Sequence, residues 1–179
     1  LMGWLGISNV DVTAATRIDG PTRIHMIDVG QGDAPLYEQD GEFALIDAGT
    51  PESKDVLLDY LNKVGVEELR YVIMTHPHAD HIGGMQAVLE RFEVEKIILP
   101  DFDKAPYPTT SIFESLLAAV VEQEVPAETA REGAVYPLGG GRFTGLQNGI
   151  ATQDNYTPCS YTHLRAPGTR GNPDCRLRL

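Results

Sequence analysis

The sequence predicts a layered α/β domain built around a mixed sheet. Three observations carry this. Short, β-branched apolar runs recur along the chain, and several are separated by segments whose apolar residues follow helical spacing. An early hairpin signal adds an antiparallel pair to a sheet that strand–helix alternation alone would make parallel. The 179 residues are enough for one domain with a buried core.

The first strand is read in "RIHMID", Arg23 to Asp28. "VGQGD" follows as a turn in which Gly30 and Gly32 are free to take positive φ. "QDG", at Gln39 to Gly41, marks the hairpin, and "FALIDAG", Phe43 to Gly49, reads as a buried strand. Thr50 and Pro51 suit a helix N-cap and first-turn proline. Val56, Leu57, Tyr60, Leu61 and Val64 then keep helical spacing up to Gly65, a helix-ending residue. The pattern repeats with the strand "YVIMT" from Tyr71 and with a helix after Gly83–Gly84 carrying Met85, Val88, Leu89 and Phe92. "KIILP" from Lys96 is a further strand. Ser111 and Glu114 have capping-box spacing ahead of Ile112, Phe113, Leu116, Leu117, Val120 and Val121. "YPLGGGRFTGL", Tyr136 to Leu146, begins another hairpin.

Past about Thr157 the character changes. Residues 158–179 show no strand or helix period, hold both cysteines, and set four arginines against one acid. "SYTHLRA" resembles a translated sequencing adapter. Residues 1–20 are read as an N-terminal stump following a lost anchor or signal, 21–157 as one incomplete domain, and 158–179 as a non-native tail. The apolar opening is compatible with an exported or membrane-anchored full-length protein, and the cysteines do not decide the compartment. Oligomeric state is not legible.

The net charge of −12 argues against broad contact with a nucleic-acid backbone, which needs a basic face. Long duplex DNA is therefore not the expected partner. No apolar stretch approaches the ~20 residues that cross a bilayer.

Chemistry concentrates in "THPHADHIGG", Thr75 to Gly84, which holds three of the five histidines. His76 and His78 are two apart and point the same way in an extended segment. Asp80 and His81 fall where the next helix begins. Imidazole nitrogen with carboxylate oxygen suits zinc, and also manganese or iron(II). Four ligands in six residues close poorly on one ion, but two ions ~3.5–4 Å apart can share them.

This segment resembles the signature of the metallo-β-lactamase superfamily. "IHMIDVGQGD" followed by "FALIDAG" resembles the branch related to the soluble hydrolase domain of ComEC-type competence proteins. The resemblance covers residues 24–84 and reads as the N-terminal half of the domain. It implies a truncated αββα sandwich with mixed sheets and hydrolysis by water activated between two divalent metal ions, zinc or manganese. It places His76 and His78 on the first ion and Asp80 and His81 on the second, with Asp80 also orienting the catalytic water. Asp47 would steady the metal loop through hydrogen bonds. Asp28 and Asp33 flank the glycine turn and are read as holding it. His25 is read as a sheet residue rather than a ligand.

The pattern departs from the family in two respects. Later ligands are expected, yet the one later histidine is His163, inside the tail, and Pro35 stands where an aliphatic strand residue is usual. The chain alone is therefore expected to be a weak metal binder without turnover. The parent protein is read as a hydrolase of small or exposed phosphoesters or nucleic-acid-type substrates. The alternatives are a hydrolase of lactone, thioester or β-lactam bonds, and a non-catalytic metal-binding module.

Overall fold

The computed structural model describes residues 22–102, 107–147 and 160–161. Its main sheet contains β1 (Arg23–Met26), β2 (Pro35–Gln39), β3 (Glu42–Ile46), β5 (Tyr71–Ile73), β7 (Ile97–Leu99) and β8 (Ala127–Thr129), in that spatial order. β1, β2 and β3 pair antiparallel, whereas β3, β5, β7 and β8 pair parallel, so the sheet is mixed. A second antiparallel sheet has the order β11 (Ser160–Tyr161), β10 (Gly141–Gln147), β9 (Val135–Leu138). The two-residue strands β4 (Glu68–Leu69) and β6 (Glu93–Val94) form a small parallel pair.

The strand period sorts side chains between two cores. Leu36, Leu45, Val72 and Ile97 face the helices α1 (Lys54–Val64), α3 (Met85–Arg91) and α4 (Ser111–Glu122), among Leu57, Leu61, Met85, Val88, Phe113 and Leu116. Their strand neighbours Tyr37, Ala44, Ile46, Tyr71, Ile73 and Ile98 face the opposite way, toward Tyr136, Leu138 and Phe143 of β9 and β10. Alternate residues of a strand point to opposite faces, so the central strands must be apolar throughout. That is why "FALI" and "YVIM" read as unbroken apolar runs. Helices, main sheet and second sheet give three successive layers, an α/β arrangement with two sheets face to face.

The connections follow from local chemistry. Asp40 (φ 53) and Gly41 (φ 83) close the β2–β3 hairpin with two consecutive left-handed residues, the two-residue turn whose twist matches paired strands. Thr50 caps the 3₁₀ turn Pro51–Ser53 by accepting from the Ser53 N–H. Gly65, at φ 88, ends α1 and returns its N–H to the Leu61 and Asn62 carbonyls. Pro35 costs little: it is the first residue of β2, opposite Met26, and pairing with β3 starts one residue later at Leu36. His25 is a sheet residue, tied to Glu38 of β2 and to Tyr60 of α1, each at 3.1 Å.

Some local expectations fail. The cap of α4 is Thr110, which accepts from the Phe113 N–H, so Ser111 is the first helical residue rather than the cap. Both residues have the right chemistry, and the backbone turns helical one position earlier than the capping-box spacing implies. Val56 and Val121 keep the apolar spacing of their helices but lie 54% and 77% exposed. The buried stripe of α1 is narrower, centred on Leu57 and Leu61, and that of α4 runs through Phe113, Leu116, Ala119 and Val120. Within the segment read as tail, Ser160 and Tyr161 pair with β10 across an irregular register; the rest of it, His163 and both cysteines included, lies outside the described residues. No helix among the described residues is long and apolar enough to cross a membrane.

Candidate metal centre

Ile46 at the end of β3 pairs with Ile73 at the end of β5. The two chains therefore leave the sheet side by side at its C-terminal edge, where α/β sheets commonly place site residues. One exit carries Asp47. The other carries Thr75 and the segment through to the short helix α2 (Ala79–Ile82).

Asp47 is 2% exposed and takes φ 56, a left-handed conformation uncommon outside glycine, though less so for aspartate than for most side chains. Burying a carboxylate is costly unless it is hydrogen-bonded, and here three bonds hold it. Oδ1 accepts the Thr75 N–H at 2.9 Å, and Oδ2 accepts the Thr75 hydroxyl at 2.5 Å. Oδ2 also accepts His81 Nδ1 at 2.8 Å.

These bonds set the tautomers. The Thr75 hydroxyl spends its proton on Asp47, so its 2.9 Å contact with His76 Nδ1 requires that nitrogen to be the donor. His81 Nδ1 likewise donates to Asp47. In the neutral form of each imidazole Nε2 is then the lone-pair nitrogen, the form a metal binds. The donor atoms available on Asp47, His76 and His81 lie within 4.8 Å of one another. The His76 ring is 4.0 Å from that of His81 and 4.6 Å from that of His78, centroid to centroid. Asp80 Oδ2 stands 3.9 Å from His81 Nε2. His76 is thus buried against the half-buried His81, Asp80 stands half-buried beside His81, and His78 flanks His76 exposed at the rim.

The electrostatics are set by burial and by the carboxylates beside the imidazoles. Burial, reinforced by the neighbouring His81 and His78, pushes the His76 imidazole down to about 4, so it is neutral at physiological pH. Burial also raises Asp47, against the opposing bonds from His81 and Thr75. His81 is raised as well: burial works against its charged form, but the bond to Asp47 and the charges of Asp47, Asp80 and Asp33 outweigh it. Both shifts keep a proton shared within the Asp47–His81 pair.

Backbone contacts fix the loop. Ala48 N–H donates to the His81 carbonyl at 2.7 Å, and Gly83 N–H to the Gly49 carbonyl at 2.9 Å. A Cβ on Gly83 would meet Pro51 N at 2.2 Å, and one on Gly84 the Ala48 carbonyl oxygen at 2.5 Å. The glycine pair is therefore required by close packing of two loops. Asp28 accepts the Gly30 N–H at 3.2 Å and holds the first turn. Asp33 does more than hold a turn: its carbonyl accepts the Gly49 N–H at 3.0 Å, and its charge reaches His81. The residue that sequence reasoning left without a role is Thr75, which links Asp47 to His76. Its only signal was its place between an apolar strand and the first histidine.

A buried sheet edge that gathers three imidazoles and two carboxylates defines a metallo-hydrolase-like domain. The metallo-beta-lactamase superfamily model matches residues 27–152, and the chain belongs to that superfamily. It is 30% identical over 135 residues to ComE operon protein 3 of Bacillus subtilis, covering 64% of this chain and 17% of that protein, which places it with the ComEC-like branch. It is also 41% identical over 61 residues to the probable metallo-hydrolase YflN of the same species, covering 33% of this chain and 23% of that one. The chain thus spans less than a quarter of the length of either relative. Among solved structures, MEM-A1, a subclass B3 metallo-beta-lactamase from a soil metagenome library, superposes with a TM-score of 0.56 at 18% identity, covering 86% of this chain and 58% of that one. A metallo-beta-lactamase of Cronobacter sakazakii superposes at 0.52 and 16% identity, covering 69% and 49%. At those identities the likeness is one of fold.

Proposed function

We propose that this chain carries the metal-binding segment of a two-metal hydrolase acting on phosphoesters. His76 and His78 hold one divalent ion and Asp80 and His81 the other, zinc or manganese, as the donor set suits. Asp47 and Thr75 do not bind metal. The three hydrogen bonds to the Asp47 carboxylate occupy it, and its work is to orient His81 and, through Thr75, His76. When bound, such ions lower the pKa of a shared water and stabilise charge on the substrate. The protein's own part is to aim Nε2 of two imidazoles, His76 already neutral and His81 releasing its proton as the ion binds, so that little ordering entropy is lost on binding.

The observation that carries this reading is the paired hydrogen bonding of His76 Nδ1 to Thr75 and His81 Nδ1 to Asp47. The resemblance of "IHMIDVGQGD" and "FALIDAG" to the ComEC-type branch implies the phosphoester class, and the acidic composition favours a small or exposed phosphoester over long duplex DNA.

The test is hydrolysis by the full-length protein, with zinc and with manganese, of a chromogenic phosphodiester, a lactone, a thioester and a chromogenic cephalosporin. Turnover of the phosphodiester, lost in Asp80→Ala, is expected. Preference for a lactone, thioester or β-lactam overturns the substrate class. Metal binding without any turnover overturns catalysis in favour of a binding module.

A further inference from the structure

The turn from Val29 to Asp33 reaches the metal loop through bare backbone. Gly32 lies so close to the helix that a Cβ on it would stand 1.9 Å from the Asp80 carbonyl oxygen, 2.9 Å from the Asp80 carbonyl carbon and 3.3 Å from Asp80 Cβ. The shortest of these is more than about 1 Å inside van der Waals contact. Gly30, two residues earlier, offers an internal comparison. Both glycines adopt positive φ, +74 at Gly30 and +99 at Gly32, but a Cβ on Gly30 would have nothing within 4 Å. One glycine is needed for its backbone conformation alone, the other for conformation and contact.

The turn cannot easily back away. Asp28 holds it from one side through the Gly30 N–H, and Gly49 holds it from the other through the Asp33 carbonyl. Gly49 in turn accepts the Gly83 N–H, and Ala48 donates to the His81 carbonyl. With both segments tied to the 48–49 strand exit, a side chain at position 32 would press directly on the Asp80 backbone.

We infer that Gly32 is a positioning residue for Asp80, setting where its carboxylate stands beside His81 Nε2. The inference rests on Asp80 being a metal ligand. The early glycine motif, on this account, belongs to the metal centre and not only to the β1–β2 connection.

Zinc affinity of the chain, measured by competition with a chromogenic chelator, tests it through Gly32→Ala, Gly30→Ala and Asp80→Ala, with Gly32→Ala also combined with Asp80→Ala. Gly32→Ala should weaken zinc binding about 10–100-fold, the range for loss of a ligand-supporting contact. Gly30→Ala, which carries backbone strain without the contact, should stay within about twofold. Added to Asp80→Ala, Gly32→Ala should cost little more, because its effect runs through that side chain. Equal losses in the two glycine variants, or a full further loss in the double variant, overturn the inference.

A zinc titration of the unaltered chain, followed by backbone amide NMR, is independent of whether Gly32→Ala folds. The Gly32 and Asp33 amides should shift with the same midpoint as those of Asp80 and His81, while Gly41 stays still. A silent Gly32 overturns the inference while leaving the metal site standing. Absence of any zinc binding by the unaltered chain overturns both.

Discussion

Asp47 and His81 are joined by a 2.8 Å hydrogen bond that crosses from the end of β3 to the start of α2 and turns Nε2 of the imidazole away from the carboxylate. The same carboxylate holds the Thr75 backbone and hydroxyl, so one buried side chain sets the pose of two imidazoles.

Asp47→Ala is therefore expected to lower metal affinity about 10–100-fold through the imidazoles it orients. Thr75→Val, which keeps the shape and removes the hydroxyl, should lower it through His76 while the fold persists. Isothermal titration with zinc checks both. Affinity unchanged in either variant would remove that residue from the metal centre.

The pH response of the metal-free protein has a definite sign. His76 is held at about 4 in the folded chain against ~6.5 when unfolded. Between these values the unfolded chain binds more protons, so its contribution to stability is present above ~6.5 and lost as pH falls toward about 4. His81, raised by Asp47, has the opposite sign: its contribution is full below ~6.5 and lost as pH climbs through its folded value. Urea midpoints measured from pH 4 to pH 8 should fall on the acid side less steeply in His76→Gln than in the unaltered chain. An identical acid limb in both would contradict the neutral, buried His76.

Coordination number sets the activity of the chain itself. Among the described residues, four candidate ligands from one segment would leave two ions with spheres completed largely by water, which controls neither their position nor the acidity of that water well. Residues 1–179 are expected to bind metal weakly and to show no meaningful turnover. A longer, full-length protein should bind about two metals and lose most activity in both His78→Ala and Asp80→Ala. Full turnover by the short chain, or activity that survives Asp80→Ala in the long one, would refute this.

Helix capping supplies a control remote from the metal centre. Thr110→Ala should cost about 1 kcal/mol in urea unfolding, whereas Ser111→Ala should be near neutral. A larger loss at Ser111 would restore the capping box that the sequence favoured.

Much of this was legible in the chain, for physical reasons. A strand buried on both faces must be a continuous apolar run, so β3, β5 and β7 announced themselves. Positive φ has few tolerant residues, so the turns at Gly30–Gly32 and Asp40–Gly41 did too. Metal ligation demands rare residue types at close spacing, and His76, His78, Asp80 and His81 stood out for that reason. What stayed hidden was set by tertiary contact. β4 and β6 are two residues each, too short for any period to show. β8, "AET", is a polar edge strand that only its pairing with β7 reveals. Val56 and Val121 satisfy helical spacing yet face outward, because the width of a buried stripe depends on the partner surface. Thr75 carried no signal of its own, since a threonine after a strand is ordinary until the carboxylate beneath it is seen.

The two cores finish at different moments of synthesis. Among the described residues, the helix-side core draws its last member from Val125, but the opposite face of the main sheet is covered only once Tyr136, Leu138 and Phe143 have been made. At ~5–20 residues per second, the ribosome leaves Tyr37, Ile46 and Ile73 uncovered for roughly a second or more after the helices have a complete surface to pack against. For that interval the nascent chain is a finished half-sandwich with a bare apolar wall. That wall is where a chaperone would bind, and where two neighbouring nascent chains on one message would stick to each other.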